Sequence, residues 1–301
     1  MTAISQAPAP PSAATPPRLM ALRRFAREFA ARPTAIAGLA ILVAVTALAL
    51  AAPLFIHASD LDVINAPGQP IAPPSAQFVL GTDYAGRSIL LLLIWGTRPS
   101  LAIGVIATAL AMILGGGIGL AAGHYGGIVS RALMALTDWF IALPTLPLAI
   151  ALAAVLGQGD TSITIAIAVT SWPSTARLIR AQTLAVEARP FIERAKALGA
   201  RDTQLLARQV LPNVAPFILV SSTLTIAGAI LSETTLTFLG LGNPTDVSWG
   251  AMINQALFQG AVSAGAWWYI LPPGIAILIV VLGFTMVGRA VENILNPRMG
   301  R

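Results

Sequence analysis

Long stretches without a charged residue decide what this chain can fold into. Residues 33–59 contain no Asp, Glu, Lys or Arg, and similar uncharged stretches recur along the chain. A hydrocarbon core of about 30 Å needs roughly 20 consecutive apolar residues in each helix that crosses it. Only 10% of the 301 residues are charged and 56% are hydrophobic, which argues against a soluble domain. The sequence therefore predicts an all-α integral membrane protein.

The uncharged stretches predict six transmembrane helices. The first follows several arginines, as in a secretory signal peptide, but its apolar part is longer than the roughly 7–15 residues of a signal core. We therefore expect a retained helix rather than a cleaved leader. The predicted spans are 35–56, 100–123, 139–156, 162–180, 214–238 and 267–287. Pro144 and Pro147 predict a kink in the third span.

The distribution of Lys and Arg predicts the orientation of these helices. With the N-terminus inside, all 18 Lys and Arg residues except Arg87 and Arg98 fall in cytoplasmic segments, as the positive-inside rule requires. We therefore expect both termini in the cytoplasm. The net charge of +6 then reflects topology and contact with membrane lipid, and it requires no nucleic acid.

The chain divides into four predicted parts. Residues 1–32 are expected to form a disordered and basic cytoplasmic tail, since their first half is rich in Pro, Ala and Ser. The first helix and an extracytoplasmic connection occupy 33–99, and a five-helix core occupies 100–296. Residues 297–301 form a cytoplasmic C-terminus. Four small residues in the second span predict close helix packing: Gly115, Gly116, Gly117 and Gly119.

Several kinds of chemistry find no support in the sequence. The chain has no Cys, which excludes a thiolate nucleophile, and His57 and His124 are far apart in sequence. Neither a GxxxxGK[ST] nor an HExxH sequence occurs, so the chain does not bind ATP through a P-loop of its own. We predict no catalytic residue and no metal ligand, because no nucleophile–base set is evident.

Residues 181–213, between the fourth and fifth predicted spans, form the longest cytoplasmic loop. We expect two short helices in it. Pro190 fits the first turn of one helix, and Gly199 fits the position after its end, where a left-handed backbone is needed. Asp202 can cap the next helix, and Pro212 is expected to stop it.

The first of these loop helices is amphipathic, which leaves two interpretations open. Phe191, Ala195 and Leu198 share one face with Ile192 beside it, whereas the charged residues fall elsewhere around the helix. Such a helix can lie on anionic lipid, or it can dock on a cytoplasmic protein.

Further motifs follow one another in a fixed order along the chain. They are LGTDYAGR at 80–87, AGHYGG at 122–127, IALP at 141–144, TFLGLG at 237–242 and SWG at 248–250. The loop adds Glu193, Ala195, Gly199 and the pair Leu211-Pro212, in the spacing E-A-A-x3-G-x9-I-x-L-P, with Arg194 and Gln209 as departures. Together these motifs resemble the second (C-type) subunit of the dipeptide/oligopeptide/nickel family of binding-protein-dependent ABC permeases.

This resemblance implies a type I ABC importer permease fold with a cytoplasmic EAA coupling loop, located in a bacterial inner membrane. It implies a second homologous permease subunit, two ATP-binding subunits that hold ATP and Mg, and an extracytoplasmic solute-binding protein. The chain itself would hold no cofactor. The residues implied to couple it to an ATPase are Glu193, Arg194, Ala195, Gly199, Leu211 and Pro212. The implied solutes are dipeptides, oligopeptides, glutathione-like peptides or nickel chelates.

Polar residues near the outer end of the fifth span are candidates for the translocation path. Glu233 is an ionisable group at membrane depth, where such a group is costly. Together with Thr234 and Thr237, it is expected to line the path. Glu233 could instead serve as a hydrogen-bond acceptor between helices, and the sequence leaves this choice open.

Other polar and aromatic residues carry structural expectations. Asp138 is expected to cap a helix or to pair with Arg131. Asp83 and Arg87 are expected to form a local cap and ion pair outside the membrane. Three tryptophans are expected to form an aromatic belt at the outer interface: Trp249, Trp267 and Trp268.

Two other classes of function compete with an importer permease. A secondary transporter or channel would need inverted repeats and ion-coupling acids at the membrane midplane. An intramembrane enzyme would need a nucleophile–base set. Purification in a gentle detergent separates the three, because only the importer predicts co-purifying ATPase subunits.

Overall fold

The computed structural model describes residues 17–295, and the regular elements in this part of the chain are helices. The α-helices are α1 (Pro17–Ala30), α2 (Pro33–Phe55), α3 (Ile89–Tyr125), α4 (Gly127–Ala142), α5 (Thr145–Leu156), α6 (Asp160–Glu187), α7 (Pro190–Ala197), α8 (Asp202–Leu205), α9 (Leu211–Phe238), α10 (Trp249–Phe258) and α11 (Trp267–Leu295). A 3-10 turn lies at Ala58–Leu61 and a π turn at Leu206–Val210. The all-α prediction is confirmed.

Helix α1 corrects the prediction of a disordered tail up to residue 32. Its Arg24 and Glu28 form an ion pair of 2.7 Å one helical turn apart, and the rings of Phe25 and Phe29 stack. Pairs at this spacing stabilise a helix, which the composition of the tail did not reveal. The remaining tail and C-terminal predictions concern residues 1–16 and 296–301, which lie outside the described part of the chain.

Four helices are long and apolar enough to cross a membrane, namely α2, α3, the continuous helix Asp202–Phe238 and α11. A fifth candidate is the bent pair of α4 and α5, which is long and apolar enough only when the two helices are taken together as one span. The chain is therefore an all-helical membrane protein with four or five candidate spans.

The fourth predicted span lies within α6, which is long enough to cross a membrane but less apolar than the helices named above. Twelve of its 28 residues are buried, mainly against α3, α5 and α9. A helix surrounded by other helices can carry hydroxyl groups, because these bond within the protein rather than face lipid. Thr164, Thr170 and Thr183 donate to backbone carbonyls one turn earlier. This explains why α6 is less hydrophobic than its neighbours.

The predicted kink in the third span is a sharp break. Helix α4 ends at Ala142, α5 begins at Thr145, and the two axes meet at 93°. Pro144 occupies the N-cap position of α5, where its missing N–H breaks no hydrogen bond. The third span predicted over 139–156, with its kink, is therefore made of two helices joined at a 93° break. With 12 residues α5 is only about 18 Å long, too short to cross a bilayer by itself.

Helices α3 and α6 pack backbone against backbone. An added Cβ on Gly115 or Gly119 would lie 2.5 or 2.6 Å from a carbonyl oxygen of α6, and one on Gly123 would lie 2.5 Å from the Thr183 Cβ. This confirms close packing at two of the four predicted glycines and adds Gly123. Gly117 points away from any contact, with nothing within 4 Å of an added Cβ.

Candidate functional site

One buried side chain attaches helix α7 to the transmembrane helices. Pro190 occupies the first turn of α7, as predicted, and Ile192 is fully buried. The other buried members of its apolar cluster come from the ends of α6 and α9 and from the π turn: Ile179, Val186, Val210 and Val214. Ile192, rather than the predicted apolar face, therefore attaches α7 to the rest of the chain.

The predicted apolar face of α7 points away from the transmembrane helices. Phe191 is 36% exposed, and Leu198, directly after the helix, is 88% exposed. Glu193 and Arg194 are also exposed, while Ala195 is half-buried. An exposed apolar surface of this kind, flanked by charges, is typical of a site that another molecule covers.

Gly199 ends α7 in the left-handed conformation that the sequence predicts, with φ of +81°. Its N–H donates to the Lys196 carbonyl at 3.0 Å, and the N–H of Ala200 donates to the Ala195 carbonyl at 3.1 Å. These two bonds form a Schellman motif, which satisfies carbonyls at the helix end. An added Cβ at Gly199 would touch nothing within 4 Å, so the requirement for Gly is conformational rather than steric.

The second half of the loop differs from the prediction. Asp202 is the first residue of α8 and does not cap it, since Arg201 holds the N-cap position. Pro212 does not stop the helix either, because α8, the π turn and α9 run on as one helix from Asp202 to Phe238. In the π turn the N–H of Leu211 bonds to the Leu206 carbonyl, five residues back. This wider turn directly precedes Pro212 and accommodates its ring within a continuous helix.

A polar cluster lies where α3, α6 and α7 meet. His124 Nδ1 lies 2.6 Å from Glu187 Oε1, and Lys196 Nζ lies 2.8 Å from Glu187 Oε2. His124 Nε2 is 3.6 Å from a carboxylate oxygen of Asp202. Partial burial raises the pKa of Glu187, but hydrogen bonds from Lys196 and His124 and their charges lower it more, so the net pKa shift is downward. Sequence analysis missed this cluster because its members are up to 78 positions apart (His124 to Asp202).

Glu233 is fully buried on α9. Thr237 Oγ1 donates to its Oε1 at 3.2 Å, and Thr234 Oγ1 lies 3.4 Å from its Oε2. The structure thus brings the three predicted path residues together. Thr237 also lines a cavity of about 320 Å³ at the C-terminal end of α9. Its other polar lining residues include Gln158, Asn243, Asn254 and Gln255.

The ion pairs of the described residues confirm one prediction and correct another. Asp83 and Arg87 form the expected pair, at 2.6 Å, in the segment before α3, and both side chains are buried. Asp138 pairs with Arg177 of α6 at 2.6 Å, not with Arg131. Sequence distance favoured Arg131, whereas packing of α4 on α6 brings Arg177 within reach. Within residues 17–295 no three His, Asp or Glu side chains are placed to hold a metal ion.

Trp249 does not belong to an aromatic belt. It is 1% exposed at the start of α10, and its Nε1 donates to the Leu93 carbonyl of α3 at 3.0 Å. The indole therefore packs in the core, where its N–H has found a partner. Trp267, at the start of α11, is exposed, as a residue at a membrane interface would be.

Comparison with known proteins identifies the family. Residues 115–301 match the family described as binding-protein-dependent transport system inner membrane component, and residues 21–74 match the N-terminal TM domain of oligopeptide transport permease C. The chain belongs to this family of permeases. A dipeptide transport system permease protein of Alkalihalophilus pseudofirmus is 36% identical to it over 266 residues, covering 88% of the chain and 86% of the relative. An oligopeptide transport system permease protein of Bacillus subtilis is 34% identical, covering 90% and 88%.

A further relative supports this assignment, and a solved structure shares the fold. A glutathione transport system permease protein of Pectobacterium atrosepticum is 36% identical to the permease, covering 75% of the chain and 74% of the relative. The permease fold is similar to a chain of the methionine ABC transporter MetNI in an inward-facing conformation, with a TM-score of 0.53 and 19% identity. This match covers 67% of the permease and 97% of that chain.

The family settles the class of protein that the sequence predicted. The permease is a multi-pass component of the inner membrane and the transporting part of an ABC system, not an enzyme. As a component of a binding-protein-dependent ABC transport system, it implies a binding protein and an ATPase as partners. The roles of individual loop and path residues stay predictions.

Proposed function

We propose that this permease is one of two homologous membrane halves of an ATP-driven importer for peptides, and that α7 receives movement from one of two ATP-binding subunits. ATP and Mg are held by those subunits and none is held by this chain. A separate extracytoplasmic protein delivers the solute. The proposed coupling residues are Glu193, Arg194, Ala195, Gly199, Leu211 and Pro212.

The observation that carries this proposal is the two-sided character of α7. One side is held by Ile192 in the cluster between α6 and α9. The other side exposes Phe191 and Leu198 beside the charged Glu193 and Arg194. A short helix with one face attached and one face free moves as a rigid body when a partner binds the free face. Movement of α7 would then tilt α6 and α9, to whose ends it is attached.

The likeness to permeases of dipeptide, oligopeptide and glutathione transport supports a peptide or a related small solute. The solutes named for these three relatives all contain peptide amide groups. The polar cavity beside Thr237 is compatible with such a solute, because its lining residues offer amide donors and acceptors.

We further propose that Thr237 contacts the solute while the buried Glu233 accepts its hydrogen bond and, with Thr234, completes this part of the path. The contacts of 3.2 and 3.4 Å within the group support this division of roles. Glu233→Gln should then reduce uptake of cationic and neutral peptides equally. A selective loss of cationic peptides would instead place the carboxylate in direct contact with the solute.

The proposed topology has six spans and both termini in the cytoplasm. The bent pair α4 and α5 would form the third span. Helix α6 would form the fourth, packed among α3, α5 and α9. The distribution of Lys and Arg supports this orientation. Labelling of single introduced cysteines from each side of the membrane tests it, and the chain has no native cysteine to interfere.

Purification and reconstitution test the proposed function. In a gentle detergent the tagged chain should co-purify with a second permease and ATP-binding subunits. In proteoliposomes the complex should take up peptide only with ATP and the binding protein present. Purification of the chain without an ATPase, or uptake that needs no ATP, would contradict the proposal. Binding of α7 to anionic vesicles instead of to an ATPase would support the lipid interpretation of the loop.

A further inference from the structure

The polar cluster between α3, α6 and α7 is not used by the proposed docking surface. His124 lies in the last turn of α3, Glu187 ends α6, and Lys196 lies in the last turn of α7. The side chains of His124 and Glu187 are only 3% and 12% exposed. Side chains of α3 and of the consecutive helices α6 and α7 thus meet in one chain of short contacts of 2.6 and 2.8 Å.

We propose that His124, Glu187 and Lys196 form a polar clamp that fixes the angle of α7 against the α3–α6 pair, and that this clamp determines how much ATP-driven movement reaches the membrane. The inference rests on the proposed function of α7. His124 and Lys196 are positioning residues, since they act through α7 and touch neither solute nor nucleotide.

The spacing of Ile192 and Lys196 gives the physical reason for a second attachment. The two residues are four positions apart, so they lie on the same side of α7 and about 6 Å apart along its axis. A helix attached only at Ile192 can pivot about that point. A second attachment one turn later prevents the pivot, so that displacement of α7 passes to the helices beneath it.

The geometry indicates which group donates at each contact. Glu187 is ionised near neutral pH, because its pKa is lowered, so both of its oxygens accept. His124 must then carry its proton on Nδ1, and Lys196 donates to the second oxygen. The Nε2 of His124 points toward Asp202 Oδ1 at 3.6 Å, which relates the cluster to the start of α8.

The clamp attaches α7 to the pair of helices α3 and α6, which is itself rigid. Gly119 and Gly123 bring α3 against α6 just before His124, with Gly123 next to it in sequence. Movement of Glu187 or His124 therefore displaces both helices together. Lys196 is half-exposed, so its pair with Glu187 adds little to global stability, and its effect is expected on the position of α7 instead.

Uptake per ATP hydrolysed is the measurement that tests the clamp, using the complete complex in proteoliposomes. His124→Phe keeps a ring without a hydrogen-bond donor, and Lys196→Met keeps the length without the charge. His124→Asn and Lys196→Arg are matched rescue variants, because each retains a donor toward Glu187. Arg289→Met, on the exposed side of α11, controls for the loss of one cytoplasmic charge. A spin label on Cys introduced at Ala197, an exposed residue of α7, reports the mobility of the helix.

His124→Phe and Lys196→Met should lower uptake per ATP at least about fivefold while ATP hydrolysis stays within about twofold, and should increase label mobility. The rescue variants and the control should stay close to the unmodified complex. Normal uptake per ATP in both disrupting variants would overturn the clamp, as would equal losses in the rescue variants. If the complex with His124→Phe does not assemble, the comparison of Lys196→Met with Lys196→Arg tests the clamp. Failure of the proposed function is distinct, because the unmodified complex would then show no ATP-dependent uptake.

Discussion

The contact between α3 and α6 and the attachment of α7 hold helices together in opposite ways. Gly115, Gly119 and Gly123 of α3 bring its backbone against α6 with no room for an added methyl group. Helix α7 is attached through Ile192 and the polar clamp, and its opposite face is exposed. The first contact leaves no space for relative movement, whereas the second leaves a whole face for a partner.

This difference indicates that movement can start at α7 and be transmitted by the α3–α6 pair. Closely packed helices transmit displacement, because their contacts are incompressible. A helix with a free face can be displaced by a partner without first breaking the protein core. The combination gives a movable element attached to a rigid pair, and the following predictions test each side of that comparison.

Gly119→Val should have the largest effect. The new Cβ would lie 2.6 Å from the Ala176 carbonyl oxygen and 2.8 Å from the Ile179 Cβ, and neither position can yield without moving α6. We expect a destabilisation of about 3 kcal/mol, with most of the protein lost from the membrane. Thermal unfolding in detergent and size-exclusion chromatography measure it.

Gly117→Val is the matched control, since Gly117 lies on the same helix and an added Cβ meets nothing within 4 Å. It should yield folded protein at the unmodified level. Equal loss in the two variants would show that the Gly content of α3, not its contact with α6, is what matters. Normal folding of both variants would contradict the close packing of α3 against α6.

Ile192→Ala should weaken the attachment of α7 and leave the transmembrane helices folded. Truncation of a buried Ile costs about 2 kcal/mol where the site can partly collapse, as at this surface helix. Hydrogen exchange of the α7 amides should accelerate, while that of α3 and α6 should not. Leu198→Ala provides the control for exchange, because Leu198 is almost fully exposed. Unchanged α7 exchange in Ile192→Ala would contradict the attachment described for this residue.

Gly199→Val should reduce uptake without reducing the amount of protein in the membrane. A left-handed φ of +81° costs a residue with a Cβ about 1–2 kcal/mol, enough to change the geometry of the turn in most molecules. Gly199→Asn should retain most activity, because Asn tolerates this conformation. Uptake at matched membrane levels distinguishes the two. Equal activity of the Val and Asn variants would exclude a role for the turn in coupling.

Much of the fold could be predicted from the sequence because the membrane imposes simple rules. The long apolar runs identified α2, α3, α9 and α11, and Pro144 marked the break after α4. Gly199 was recognised because a helix end needs a residue that accepts positive φ. In each case a local pattern expresses a local physical requirement.

The errors concern features that depend on tertiary neighbours. Pro212 was expected to stop a helix, but the preceding π turn lets the helix continue. Trp249 was assigned to the interface, but packing of α10 on α3 buries it. The pairing of His124 with Glu187 required knowledge of the α3–α6 contact, since 63 positions separate them. No sequence window contains that information.

Acidification should give the smallest effect, because Glu187 contributes only to the polar half of the α7 attachment. Partial burial raises the pKa of Glu187, but its bonds to Lys196 and His124 lower it further, below its ordinary value of 4.5. A carboxylate with a lowered pKa stabilises the native arrangement at higher pH, and this contribution is lost as the pH falls through the lowered value. We expect a small increase in mobility of the spin label at position 197 as the pH falls below about 5, worth less than about 1 kcal/mol because Lys196 is half-exposed. Glu187→Gln, measured in the same proteoliposomes, should show no such increase. An increase of equal size in that variant would assign the acid response to another group and leave the attachment of α7 independent of Glu187.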